Sequence, residues 1–399
     1  MKYKEWLDVW FANYIEPSSK TKTCERYSEI IEKHLKVKLG EYELEELSPI
    51  VIQKYITELM QSGNLTTGKW LAANSVNGII TVIQNSLKLA YTLGELKEYT
   101  TDKIRRPKTK EKEVSCFSLA EQKKIEQAAL SNKKRKFIGI VICLYSGLRI
   151  GELLALTWAD IDFTKGTLTV NKTCHDGRDE KGNLCRITDL PKTTSSKRMI
   201  PLPKQLLPVL KEYKRKSISE YVVESEKGEP STVRSYQRTF ELLQKRLHIE
   251  RKGFHSLRHT FAKTVIDGIY KALTRFGVKG NNRILEPAMG TGNFFGFMPQ
   301  EIASGAKLYG VELNRVTGKI ATKLYPQAKI QIKGFEETAF QDNSFDLMVT
   351  NVPFVGYTVF DPDYNKYNFY IHDYFIAKDI DKIKPNGLMA VITSKGTPI

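Results

Sequence analysis

The chain has 399 residues, enough for two or three domains, and 41% of them are hydrophobic, which excludes a globally disordered protein. Its formal net charge is +17, of which residues 1–263 carry +15, with 47 Lys and Arg against 32 Asp and Glu. Such an excess points to a polyanionic partner, above all nucleic acid, for the first part of the chain, and residues 264–399 read as an ordinary near-neutral domain.

The opening MKYKEWLDVW has no apolar run of the kind a signal peptide needs, and no stretch of about 18 apolar residues follows anywhere. The expectation is a cytoplasmic protein with no membrane partner. Trp6, Trp10 and Tyr14 recur at helical spacing and predict a first helix. A second runs from about 22 to 37 and stops before Gly40. A third opens with Ser48 as N-cap and Pro49 at the first position, and ends at Gly63. A fourth runs from about 74 to 92, with Gly94 beyond it. These make a helical bundle over residues 1–98. Residues 99–116 follow as a linker with six Lys or Arg between 103 and 112, suited to crossing a phosphate backbone.

Ser118-Leu-Ala-Glu121 is a capping-box pattern and opens a mixed α/β, mostly helical domain over 117–263. An apolar helix is predicted over 137–145 and a hairpin over 162–170, turning at Lys165-Gly166. Strands are predicted at 186–190 and 197–202, and helices at 204–214, 231–247 and 256–263. The five cysteines, Cys24, Cys116, Cys143, Cys174 and Cys185, are odd in number and irregularly spaced, which argues against a disulfide framework. Cys174, His175 and Cys185 do not complete a four-ligand set, so no metal is expected.

Three segments of this domain carry a resemblance. Ser146-Gly-Leu-Arg149-Ile-Gly-Glu152, Pro191-Lys192-Thr-Thr-Ser-Ser-Lys197-Arg198-Met-Ile-Pro-Leu-Pro203 and Gly253-Phe-His255-Ser-Leu-Arg258-His259-Thr260 resemble, in order and spacing, the catalytic boxes of tyrosine site-specific recombinases of the phage and transposon integrase type. The resemblance implies a core-binding clamp in the leading bundle, double-stranded DNA as partner, a higher-order assembly on DNA, and no cofactor. It implies that Arg149 and Arg258 clamp a scissile phosphate and that Lys192 protonates the leaving 5′ oxygen. His255 would assist proton transfer, and Glu152 would orient Arg149. Guanidinium groups suit that task because they meet two phosphate oxygens at once. The family's pattern then breaks off. No second histidine box and no nucleophilic tyrosine follow, and Tyr270 stands only 12 positions after Arg258. Strand cleavage is therefore expected to be impaired.

From residue 264 an α/β, Rossmann-like series is predicted. A helix over 265–276 leads to a strand at 283–286 and then to the turn Pro287-Ala-Met-Gly290-Thr-Gly292-Asn293. Further strands are predicted at 308–313, 330–332, 345–350 and 388–393, with Glu312 closing the second and Asn351-Val-Pro353-Phe354 following the fourth. The series resembles S-adenosylmethionine-dependent N6-adenine DNA methyltransferases, most of all the methylase-like part of helicase–methylase proteins of mobile elements. It implies S-adenosylmethionine held by Glu286, Gly290, Gly292 and Glu312, and a flipped adenine at Asn351, Pro353 and Phe354. Val352 stands where that family has a proline. The aromatic lead-in and the sixth and seventh strands of that fold are expected to be missing, with a junction of two broken parts near 262–265. Two alternatives to a recombinase by descent stay open: an adenine methyltransferase targeted by a recombinase-derived module, and a non-catalytic DNA binder that competes with an intact integrase.

Overall fold

The computed structural model describes residues 1–19, 21–99, 101–109, 115–178, 184–189, 198–353 and 357–393. The chain divides into two compact units, Met1–Glu113 and Val114–Ile399.

The first unit is helical. It contains α1 (Tyr3–Trp10), α2 (Thr21–Ile30), the short α3 (Lys36–Leu39), α4 (Pro49–Ser62) and α5 (Ala73–Thr92). The predicted start of α4 holds, since the Ser48 hydroxyl accepts the Val51 N–H and Pro49 takes the first position. Trp6, Trp10, Leu35, Ile52, Ile56, Ile80 and Ile83 close a shared core. The Trp6 indole N–H donates to the Ser86 carbonyl at 3.1 Å, so its one polar atom is satisfied in that core. Tyr14 departs from the predicted stripe. Residues Phe11–Ile15 form a π-helical turn, whose extra residue carries Tyr14 off the Trp6–Trp10 face and into solvent.

The second unit begins with α6 (Leu119–Leu130), opened by the predicted box: Ser118 and Glu121 exchange side-chain-to-backbone bonds at 3.2 and 2.7 Å. The apolar α7 (Ile138–Ser146) runs through the centre of a core closed by Phe117, Leu153, Leu168, Tyr236 and Phe240. After α8 (Ile150–Ala155) come the strands β1 (Ile161–Asp162), β2 (Thr167–Val170), β3 (Thr173–Arg178), β4 (Leu184–Asp189) and β5 (Arg198–Pro201). They form an antiparallel sheet in the order β1-β2-β5 and a separate β3-β4 pair. Helices α9 (Leu206–Lys216), α10 (Val233–Arg246) and α11 (His255–Arg275) complete this part.

One helix replaces two here. The segments predicted as separate helices at 256–263 and 265–276 form the single α11. Nothing in it breaks a helix except Gly268, which faces open space. Its first turns pack against α7, and Ile266, Tyr270 and Leu273 enter the core of the following sheet.

That sheet is parallel and five-stranded: β6 (Arg283–Glu286), β7 (Lys307–Val311), β8 (Lys329–Gln331), β9 (Phe345–Asn351) and β10 (Ile383–Ile392), in the order β10-β9-β6-β7-β8. This is the doubly wound order in which a chain turns back beside its first strand. Short helices α12 (Asn293–Gly296) and α13 (Gln300–Ala303), then α14 (Arg315–Leu324) and α15 (Ile371–Lys382), connect the strands. Alternate residues feed two cores: Ile284, Leu347 and Val349 one face, Leu285 and Met348 the other.

Candidate functional site

The site is built around the turn between α7 and α8. Gly147 leaves α7 in the left-handed region at φ 62°, and a Cβ there would meet the Phe261 ring 2.5 Å away. Two residues on, Arg149 is the N-cap of α8, and its backbone N–H donates to Glu152 at 2.9 Å. The Arg149 guanidinium donates to the same carboxylate at 2.9 Å and keeps 55% of its surface exposed. Arg258, on the second turn of α11, donates to the Gly147 carbonyl at 2.5 Å. One turn of chain thus carries Arg149 and anchors Arg258.

Glu152 is 6% exposed and holds two arginines. Arg198, the first residue of β5, meets it with two parallel bonds at 3.0 and 2.7 Å. Burial alone would push this carboxyl up, but the bonds from Arg198 and from the Arg149 backbone and side chain outweigh it and hold it at about 2. Arg198 lies within the sequence box quoted above, yet no role was assigned to it. The available signal was strand alternation, which turns Arg198 to the same side as Ile200.

His255 and His259 stand one turn apart on α11 with their rings edge to face at 4.6 Å. Burial lowers the basicity of both. For His255 the neighbouring His259, Arg258 and Arg149 lower it further, and for His259 the neighbour is Arg258. Burial, then Arg149 and Arg198, likewise lower Arg258 from its ordinary value. The bonds of Arg149 and Arg198 to Glu152, that of Arg258 to Gly147 and the His255–His259 ring contact gather three guanidinium groups and two imidazoles around one turn, a cluster suited to a phosphate. Lys192 lies outside the described residues.

Tyr270 is not in that pocket. It lies twelve residues beyond Arg258 on the same helix, about 18 Å along its axis. Its ring is fully buried in the core of the parallel sheet, its hydroxyl donates to the Phe294 carbonyl at 2.9 Å, and burial raises its phenol strongly.

In the parallel sheet, Gly290 and Gly292 both take left-handed conformations at the turn after β6 (φ 56° and 83°). Glu312, just past β7, accepts the Gly290 N–H at 2.8 Å and the Asn314 N–H at 2.7 Å. Glu286 is 2% exposed, its carboxyl is directed at the backbone N–H groups of Phe294 and Phe295, and its Oε2 has no partner. Burial pushes its carboxyl well up. The structure therefore brings Glu286, Gly290, Gly292 and Glu312 to the strand ends around one turn. Asn351 ends β9 exposed, Val352 is buried with its N–H on the Ile392 carbonyl at 3.2 Å, and Pro353 follows. Phe354 lies outside the described residues. Among the described residues no three His, Cys, Asp or Glu side chains gather as a metal site, and no helix is long and apolar enough to cross a membrane.

Comparison with known proteins bears on the first part of the chain most directly. The family model of the phage integrase family matches residues 116–268, and that of the phage integrase N-terminal SAM-like domain matches residues 2–60. A tyrosine recombinase XerC-like protein of Caldanaerobacter subterraneus is 27% identical over 287 residues, which are 65% of this chain and 71% of that protein. The defense against restriction protein B of Escherichia phage P1 is 34% identical over 137 residues, 33% of this chain but only 6% of that protein. Among solved structures, the Tn1549 transposon integrase in complex with a circular intermediate DNA superposes with a TM-score of 0.57 at 17% identity, covering 69% of this chain and 90% of that one. The helical first domain and the mixed α/β second domain match the tyrosine recombinase fold. Over residues 2–60 and 116–268, this chain belongs to the phage integrase family.

Proposed function

We propose that the chain is a DNA-binding integrase of a mobile element that holds a scissile phosphate but does not cut it unaided. The pocket that Arg149, Arg258 and His255 form at the α7–α8 turn carries this reading. Two guanidinium groups would hold the non-bridging phosphate oxygens, where charge grows during phosphoryl transfer. Lys192 would deliver a proton to the leaving 5′ oxygen. The neutral His255 imidazole would donate or accept at the same phosphate. The attacking oxygen is what this chain does not supply: Tyr270 is buried in another core, with its proton engaged by Phe294. The protein would bind duplex DNA, join a higher-order assembly there, and need no cofactor. The test is a nicked suicide duplex incubated with the full chain. No covalent protein–DNA adduct is expected, and an adduct abolished by Tyr270→Phe overturns the proposal.

A second reading is supported by the doubly wound strand order of the parallel sheet and by the turn that gathers Glu286, Gly290, Gly292 and Glu312. The residues fit a nucleoside cofactor in part. Each Glu312 oxygen accepts one backbone N–H and keeps a lone pair for a ribose hydroxyl, and Glu286 has an unpartnered buried oxygen. S-adenosylmethionine, when bound, would supply a methyl group for an adenine amine held at Asn351, Pro353 and Phe354. Calorimetric titration of the full chain with S-adenosylmethionine decides this reading. Heat that Glu312→Ala diminishes supports it, and no heat at millimolar cofactor ends it.

A further inference from the structure

Trp70 differs from the other three tryptophans of the chain. Trp6, Trp10 and Trp158 are buried, whereas Trp70 is 64% exposed and follows a loop that carries a second outward apolar residue, Leu65, at 63%. Single exposed apolar residues are common on protein surfaces and by themselves call for no explanation. This pair is different because its loop is built. The Asn64 side chain accepts the N–H groups of Thr66 and Thr67, both at 3.1 Å. The Asn64 N–H donates to the Lys69 carbonyl at 2.9 Å, and Gly68, at φ 65°, donates to the Asn64 carbonyl at 2.7 Å. Leu71 then returns the chain to α4 through the Leu59 carbonyl. A loop closed by five hydrogen bonds presents an indole to solvent at the entrance to α5.

The charges around it point to the occupant. Several lysines of this unit are neutralised within the protein: Lys2 and Lys4 by Glu41, Lys33 by Glu29, Lys36 by Asp8 and Glu32, and Lys38 by Glu58. Three cations on the Trp70 loop and against the first turns of α5 are not. Lys69 precedes Trp70, Arg26 lies against Gly78 on the second turn of α5, and Arg106 reaches the Asn77 carbonyl and the Thr81 hydroxyl, each at 3.3 Å. Among the described residues none of these three cations has a carboxylate within ion-pair distance. An exposed aromatic side chain that leads into a helix start carrying unpaired cations, with Asn74, Ser75 and Asn77 on its first turns, matches a nucleic-acid groove, where phosphates meet the cations and the ring covers sugar and base edges.

We infer that Trp70 is an aromatic DNA contact, seated in a groove of the duplex by the Asn64–Lys69 loop while Lys69, Arg26 and Arg106 hold the flanking phosphates. The inference rests on the DNA-binding reading above and names the surface that reading leaves open. Its contribution is apolar, so it differs from that of the cations in salt dependence.

Because the other three indoles are buried, acrylamide quenching of the full chain reads Trp70 selectively. Mixed-sequence duplex DNA at low salt should shield it, and Trp70→Phe should abolish that change. Trp70→Ala should weaken DNA binding about tenfold at every salt concentration with the slope against log salt unchanged, and Trp70→Phe should keep most of the affinity. Two results overturn the inference alone: binding with an indole as quenchable as in the free protein, or Trp70→Ala binding within twofold of wild type. A wild-type chain that fails to bind duplex at low salt overturns the DNA-binding reading and this contact with it.

Discussion

Glu152 shows how much one buried carboxylate governs in this pocket. It is almost fully covered, and it stays ionised only because Arg198 and Arg149 both donate to it. Its folded value of about 2 lies below the ordinary 4.5, so the stability it contributes is fully present above pH 4.5 and is lost as the pH falls toward 2. Glu152→Gln should therefore cost about 3 kcal/mol in urea unfolding at pH 7. The two proteins should converge in stability as the pH falls through that window, and a gap that stays constant would show that the charge is not the source. His255 and His259 work in the opposite sense on DNA. Burial and nearby cations hold both below the ordinary imidazole value, so they are neutral at pH 7. A bound phosphate favours their protonated forms, so DNA affinity should rise as the pH drops below about 6.5. That rise should flatten in the His255→Ala, His259→Ala double variant; an unflattened profile would assign it to other groups.

At the scale of elements, Gly147 is a position in the site where a single methyl group does harm. An alanine would have to adopt φ 62° and would place its Cβ 2.5 Å from the Phe261 ring, in the same turn that carries Arg149 and receives Arg258. Gly147→Ala should cost about 2 kcal/mol by chemical denaturation and loosen both arginines. A change under about 0.5 kcal/mol would mean that Phe261 and the turn adjust freely. Elements of this kind, with a local signature, were legible in the sequence: the Ser48-Pro49 and Ser118–Glu121 helix starts, the Lys165-Gly166 hairpin, and the strands leading to Gly290 and Asn351. Three features were not. β3 contains Asp176-Gly177, a turn signal that pairing with β4 overrides. The π turn at Phe11–Ile15 shifts Tyr14 without any mark in the hydrophobic spacing. Helix α11 joins two cores, so its apolar residues face one partner at Leu257 and another at Ile266 and Tyr270, and the changed face reads as two helices. At the α7–α8 turn, Arg149, Glu152, His255 and Arg258 were singled out through the resemblance of their boxes to those of tyrosine recombinases. Arg198 and His259 needed three dimensions, because only the fold brings β5 to Glu152 and sets the two imidazoles edge to face.

Across the whole molecule, charge and chemistry are divided in the same way. Residues 1–263 hold +15 of the net +17, and they also hold the arginine–histidine cluster and the unpaired cations against the first turns of α5. Arg105 and Arg106 are exposed on a segment that is pinned to the first unit, through the Gln53 side chain on one side and Asn77, Thr81 and Gln84 on the other. Lys319 and Lys323 are equally exposed, on α14 of the parallel sheet. If the duplex lies on the first part of the chain, each phosphate that it neutralises releases counterions, and log affinity falls linearly with log salt by about 0.9 per contact. The double variant Arg105→Ala, Arg106→Ala should then reduce that slope by up to about 1.8, with its largest loss of affinity at low salt. Lys319→Ala with Lys323→Ala removes the same charge from the molecule and should leave slope and affinity within error. Global charge alone would make the two double variants equal. Equal slopes would therefore refute the assignment of the DNA face, and a larger effect from α14 would move that face to the parallel sheet.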